Sequence, residues 1–231
     1  MVPDKASLEH VAERIARGTV PLYARSEGRL RLIGSGSLLE MSNEAFLITA
    51  AHVIDELRGG QLCTVNPFAD SEPISLGRDA PTQSDAEVHD IAIVPLGESL
   101  DPFRALTAGD LDLDADFAKP GRYHFLGWPQ QFTLAAKERL ASLPIFCAAE
   151  TYQGPTEDLL NYHSALHLLL DVDAPPAALF GLSGSPIWRI DGDVARAVAV
   201  ETALYPLSPE RVLVRGTSFR AVLRLLQLRR P

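Results

Sequence analysis

The sequence predicts an all-β chain with an α-helix at each end, and three observations predict it. Short apolar or alternating runs recur along the chain: "LRLIGSGSLLE", "AFLITAAHVI", "QLCTVN", "DIAIVPL", "RYHFLGW", "ALHLLLDVD", "SPIWRI", "ARAVAVET" and "RVLVRG". Gly, Pro, Asp and Asn punctuate them, which is the texture of many short antiparallel strands in a sandwich or barrel. Apolar residues at helical spacing appear only near the two termini.

In chain order, Leu8, Val11, Ala12 and Ile15 mark an amphipathic helix over residues 5–17, with Asp4 or Ser7 placed to cap it and Gly18 to end it. Strand-like runs follow. Residues 64–89 are polar, acidic and loop-like, with one short strand expected around Ile74–Leu76. A second loop-rich stretch, 97–121, separates two strand-rich halves and puts a boundary near residue 105. Residues 1–105 then hold the first helix and one β unit, and 106–231 hold a second β unit and the last helix. In that helix Phe219, Val222, Leu223, Leu225, Leu226 and Leu228 follow Thr217 or Ser218 as a cap.

Composition narrows the function classes. The 231 residues suffice for one large or two small domains with a real core. A net charge of −9 argues against nucleic acid or an anionic membrane as partner, since both are held by clustered positive charge. Cys63 and Cys147 are too few for a disulfide framework and lack metal-ligand spacing, so both are read as reduced. His124, His163 and His167 likewise have no carboxylate or cysteine companions at metal spacing, and no cofactor or metal is expected. The N-terminal stretch lacks the continuous apolar segment of a secretory signal, and no run reaches the roughly 18 apolar residues that span a bilayer. The expected location is the cytoplasm.

Three short segments carry chemistry when read together. "LITAAHVI" places His52 after an apolar strand, "HDIAIVPL" places Asp90 at the start of another, and "GLSGSP" sets Ser183 between glycines. Each alone has a plain structural reading, as a satisfied histidine, a turn aspartate or a tight loop. Together they supply a hydroxyl nucleophile, a base to activate it and a carboxylate to hold that base in one tautomer. Such chemistry also needs backbone N–H groups aimed at a developing oxyanion, and Gly181 and Ser183 offer two.

In this order, "TAAHVI", "DIAIVPL" and "GLSGSP" resemble the three active-site motifs of the chymotrypsin/trypsin-like serine peptidases, in the form seen in bacterial intracellular members. The resemblance extends over about residues 28–215, through "GSGSLLE", "FLGWP", "DVDAPPAALFGLSGSP" and "AVAVET". It implies two antiparallel β-barrels of chymotrypsin-like type. It also implies a serine endopeptidase in which Ser183 is the nucleophile, His52 the general base and Asp90 the orienting carboxylate. The Gly181 and Ser183 N–H groups would form the oxyanion hole. Val200, Glu201 and Thr202 would present a backbone edge to an extended peptide substrate, and Ala177 would lie near an apolar base of the specificity pocket.

Departures from the family pattern matter too. Leu182 stands where digestive enzymes carry an Asp that pairs with a freshly cut N-terminus, so activation by such a cut is not implied. "GSGSLLE" lacks the lysine of a phosphate loop, and "GLSGS" is not the GxSxG elbow of an α/β-hydrolase. The alternative function is a catalytically silent peptidase-like module that binds a peptide in the same cleft. The terminal helices, above all "SFRAVLRLLQLRR" with its basic tip, are a candidate surface for a protein partner, though packing on the second barrel is the simpler expectation.

Overall fold

The computed structural model describes residues 5–66, 72–76, 83–85, 89–96, 103–130, 133–136, 139–154, 165–172 and 179–227, with the backbone alone described at 5–8, 83–85, 133–136 and 139–142. Helix α1 (Lys5–Arg17) leads into β1 (Val20–Ser26), β2 (Arg29–Met41), β3 (Glu44–Ala50), a short α2 (Ala51–Asp55), β4 (Gln61–Thr64), β5 (Ile74–Ser75), β6 (Gln83–Asp85) and β7 (Ile91–Pro95). After a single 3₁₀ turn at Ala108–Asp110 come β8 (Arg122–Gly127), β9 (Thr133–Ala136), β10 (Arg139–Ser142), β11 (Ile145–Thr151) and β12 (Ala165–Asp171). The chain ends with β13 (Pro186–Asp191), β14 (Val194–Ser208), β15 (Arg211–Ser218) and α3 (Phe219–Gln227).

The strands form two antiparallel units. The first is a seven-stranded sheet in the order β5-β4-β1-β2-β3-β7-β6, and the second closes into a six-stranded barrel, β11-β12-β15-β14-β13-β8. In the first unit β2 serves two neighbours: Arg29 to Gly36 pair with β1, and Ser37 to Met41 pair with β3. The β9–β10 hairpin pairs with neither sheet. Leu106 bridges to Leu39 in the first unit and Leu111 to Ala197 in the second, so the connecting segment is stitched to both.

Each unit has its own apolar interior, Leu22, Leu38, Leu47 and Val53 in the first and Phe125, Leu166, Leu168, Leu182, Ile187 and Val214 in the second. A third cluster lies between them, where Tyr23, Leu39, Ile48 and Ile91 meet Trp128, Trp188 and Val200. Both terminal helices finish this shared core. Val11 and Ile15, one helical turn apart, are buried in it from α1, and Phe219, Val222 and Leu226 from α3. Asp110 in the connecting segment is buried and bonded to Arg14 of α1, to the Thr107 N–H and hydroxyl at 2.8 and 2.7 Å, and to Arg104 at 3.4 Å.

Several details differ from the sequence reading. Strand β1 escapes the strand pattern because Pro21 sits inside it. Its β4 partners begin only at Tyr23, so the missing N–H costs no ladder bond to β4. Strand β11 is masked by its alanines, β6 lies in the stretch 64–89 read as loop, and β9 and β10 lie where the sequence reading assigns no element. Thr217 does not cap α3: β15 runs straight into that helix, and the Thr217 hydroxyl donates to the His89 carbonyl at 2.7 Å. Leu228 and His163 lie outside the described residues. Cys63 and Cys147 are buried and form no disulfide, and among the described residues no helix is long and apolar enough to cross a membrane.

Candidate active site

The pairing of β3 with β7 sets the first corner of the site. Ala50 lies opposite Ile91, so the residues that follow one and precede the other are neighbours, and the Ala51 N–H donates to the Asp90 carbonyl at 3.0 Å. His52 is then on the first turn of α2. Its backbone N–H donates to Asp90 Oδ1 at 3.1 Å, and its ring Nδ1 lies 2.9 Å from Asp90 Oδ2. Bonded to a carboxylate in this way, Nδ1 carries the hydrogen and Nε2 is left as the acceptor. Asp90 adopts φ +52°, a left-handed conformation that non-glycine residues seldom occupy and that collects at functional sites.

The second corner comes from the turn between Leu179 and Pro186. Gly181 has φ +104°, and a Cβ there would stand 2.4 Å from the Trp128 carbonyl oxygen. Gly184 has φ +92°, and a Cβ would stand 2.0 Å from the Ser35 carbonyl oxygen and 2.2 Å from Thr49 Oγ1. Both positions need glycine, because the turn is pressed against the neighbouring backbone. Ser35 of the first unit latches this turn of the second: its N–H donates to the Ser183 carbonyl and its hydroxyl to the Gly181 carbonyl, each at 2.8 Å. The Phe180 carbonyl accepts from the Gln130 N–H at 2.7 Å, so the Gly181 N–H of that trans peptide points the other way. Among the described residues neither the Gly181 nor the Ser183 N–H donates to a protein acceptor.

The two corners face one cleft of about 1010 Å³, lined by His52, Asp90, Gly181, Ser183, Thr202 and Arg215, with Ala203 to Pro206 of β14 along one wall. His52 is half-exposed in it and Asp90 is mostly covered, with side-chain exposures of 46% and 14%. Burial alone would lower the His52 pKa. The hydrogen bond and charge of Asp90, helped by Glu201, outweigh it and the opposing Arg215, and hold His52 above its ordinary value.

Of the other residues singled out in the sequence, Thr202 lines the cleft, whereas Val200 and Glu201 are fully buried and do not. Their backbones are engaged: Val200 pairs with both Pro186 and Thr217, and the Glu201 N–H and C=O bond to Ser185 and Gly184 at 2.8 Å each. Among the described residues β13 pairs with β14 no further than Val200, so β14 from Thr202 onward runs beyond that pairing and along the cleft. Ala177 lies outside the described residues.

Two residues at the site have no motif to announce them. Arg215, buried on β15, donates from Nη2 to Asp90 Oδ2 at 3.3 Å and from Nε to Thr202 Oγ1 at 3.0 Å. Ser35 sits in "GSGSLLE", and its role as a latch depends on a segment almost 150 positions away. A charged residue inside "RVLVRG" was the only available hint of the first, and a serine between glycines of the second.

No protein-family model and no curated protein matches the chain. Solved structures do resemble it. The protease domain of MamO from Magnetospirillum magneticum superposes with a TM-score of 0.57 at 12% identity, covering 92% of this chain and 97% of that one. The thermostable serine protease AL20 from an extremophilic microorganism gives 0.56 at 13%, covering 92% and 96%. Human heparin binding protein gives 0.60 at 14%, covering 94% of each chain. The fold is thus the chymotrypsin-like double-barrel fold.

Proposed function

We propose that this protein is a serine endopeptidase that hydrolyses peptide bonds through Ser183, His52 and Asp90. The observation that carries the reading is the 2.9 Å contact from His52 Nδ1 to Asp90 Oδ2 at the edge of a cleft that Ser183 also lines. Ser183 Oγ attacks the substrate carbonyl while His52 Nε2 takes its proton. Asp90 holds the ring and balances the imidazolium. The Gly181 and Ser183 N–H groups receive the oxyanion. His52 then returns the proton to the leaving amine, and water activated by the same ring hydrolyses the acyl-enzyme. The substrate lies extended beside β14 from Thr202, adding a strand where the pairing with β13 stops.

The test is covalent labelling with a fluorophosphonate, followed by mass spectrometry of the modified peptide. The expected result is one adduct on Ser183 and none on Ser183→Ala. A folded wild type that stays unlabelled moves the reading to a module that binds peptides in the same cleft without cutting them.

A further inference from the structure

Glu201 is a group at this site that a Ser-His-Asp mechanism does not require. Its side chain is completely buried, and neither carboxyl oxygen has a partner of full hydrogen-bond geometry. A buried carboxyl left in this condition is costly unless it holds a proton or has a nearby donor. The backbone fixes its position. The Glu201 N–H donates to the Ser185 carbonyl and its own carbonyl accepts from the Gly184 N–H, both at 2.8 Å, which clamps Glu201 alongside the turn that carries Ser183.

Several groups are coupled electrostatically to the carboxyl. They are Ser183 from the turn, His52 from α2, Asp90 from the start of β7, Arg215 from β15 and Cys147 from β11. Burial, joined by the charge of Asp90, pushes the Glu201 pKa up to about 8 against the opposing pull of His52, the Ser183 hydroxyl and Arg215. The Cys147 thiol is pushed up to about 12, chiefly by burial, and stays neutral.

We propose that Glu201 is a positioning residue acting through Ser183: protonated, it leaves the Ser183 hydroxyl to His52, and ionised, it takes that hydroxyl for itself and holds the nucleophile off the imidazole. The inference rests on the peptidase reading above. A carboxylate is a much stronger acceptor than a neutral carboxyl, so loss of one proton decides between the two partners of a single O–H. The charge acts in the same sense on His52, whose pKa it raises. An imidazole already holding a proton cannot accept another. An anion beside the turn also opposes a developing oxyanion at the Gly181 and Ser183 amides.

The labelling rate is to be followed from neutral to alkaline pH in wild type and in Glu201→Gln, with near-ultraviolet circular dichroism confirming the fold of each. Wild-type labelling is expected to fall above about pH 8, about tenfold per pH unit as one ionisation requires, while the Gln variant holds its rate. A Gln variant with the same alkaline fall, or one slowed equally at every pH, overturns the proposal and leaves the peptidase reading standing. A second measurement, independent of Glu201→Gln, covers misfolding of that variant: the ¹³C shift of the Glu201 carboxyl carbon, titrated in wild type and in Ser183→Ala. Because the Ser183 hydroxyl lowers the Glu201 pKa, its removal is expected to move the midpoint up, and an unmoved midpoint overturns the proposal. A wild type unlabelled at every pH defeats the peptidase reading, and the same titration then decides separately whether the serine and the carboxyl are coupled.

Discussion

The two walls of the cleft are built on different physical footings. The His52–Asp90 wall is held by directed bonds between neighbouring strand ends, with the imidazole half-exposed to solvent. The Ser183 wall adds close packing to its Ser35 latch: a turn with two positive-φ glycines lies against the backbone of the first unit, with buried Glu201 bonded alongside it. The difference teaches where each is vulnerable. On the first wall, substitutions remove chemistry while the fold survives. On the second, an added methyl group removes the fold of the site itself.

Asp90→Asn tests the first half of that contrast and carries the largest expected effect. The amide holds the ring in the wrong tautomer, so the labelling rate is expected to drop about 10⁴-fold, with the thermal midpoint nearly unchanged. A drop of less than tenfold would show that Asp90 does not orient the base. Gly184→Ala tests the second half. Its Cβ would meet Ser35 O at 2.0 Å in a left-handed conformation, and a cost of roughly 3 kcal/mol or more in denaturant unfolding is expected. Unchanged stability would mean that the turn is not pressed against β2.

Asp110 lies far from the cleft and separates stability from chemistry. Asp110→Ala strands Arg14 at the seam between α1 and the connecting segment, at an expected cost of about 3 kcal/mol with labelling at Ser183 retained. Its pKa is lowered: burial raises it, but Thr107, Arg14 and Arg104 together outweigh that. The stability it contributes is therefore present above the ordinary carboxylate range and lost as pH falls through the depressed value. Wild-type unfolding in the acid range should show this slope, and the Ala variant should lack it. The smallest effect is expected for Arg215→Met. Arg215 lowers the His52 pKa, so its removal should move the acid limb of the labelling profile to higher pH. A downward shift would mean that Arg215 acts mainly by supporting Asp90.

Much of this architecture is legible in the residue pattern, and the exceptions have local causes. Pro21 hides β1, because proline inside a run counts against a strand even where the N–H it lacks has no β4 partner to bond. "LITAAHVI" and "HDIAIVPL" mark their strands by apolar runs, yet nothing in them announces the short helix α2 that carries His52. The segment "AVAVET" reads as a strand, and β14 holds it beside the Ser183 turn. How far that strand is paired is set by where β13 ends, at Val200, which no window of the sequence shows.

The sequence by itself determined the all-β character, the helix at each end, and the supply of a hydroxyl, an imidazole and a carboxylate in a recognisable order. These depend on periodicity and on residue types within short windows. The tertiary structure decided that Ser35 latches the Ser183 turn, that Arg215 faces Asp90 and that Glu201 is buried alongside that turn. Those relations join positions more than a hundred residues apart in two cases and bury a carboxyl in the third. Distance along the chain carries no trace of either, because approach and desolvation exist only once the two β units have packed together.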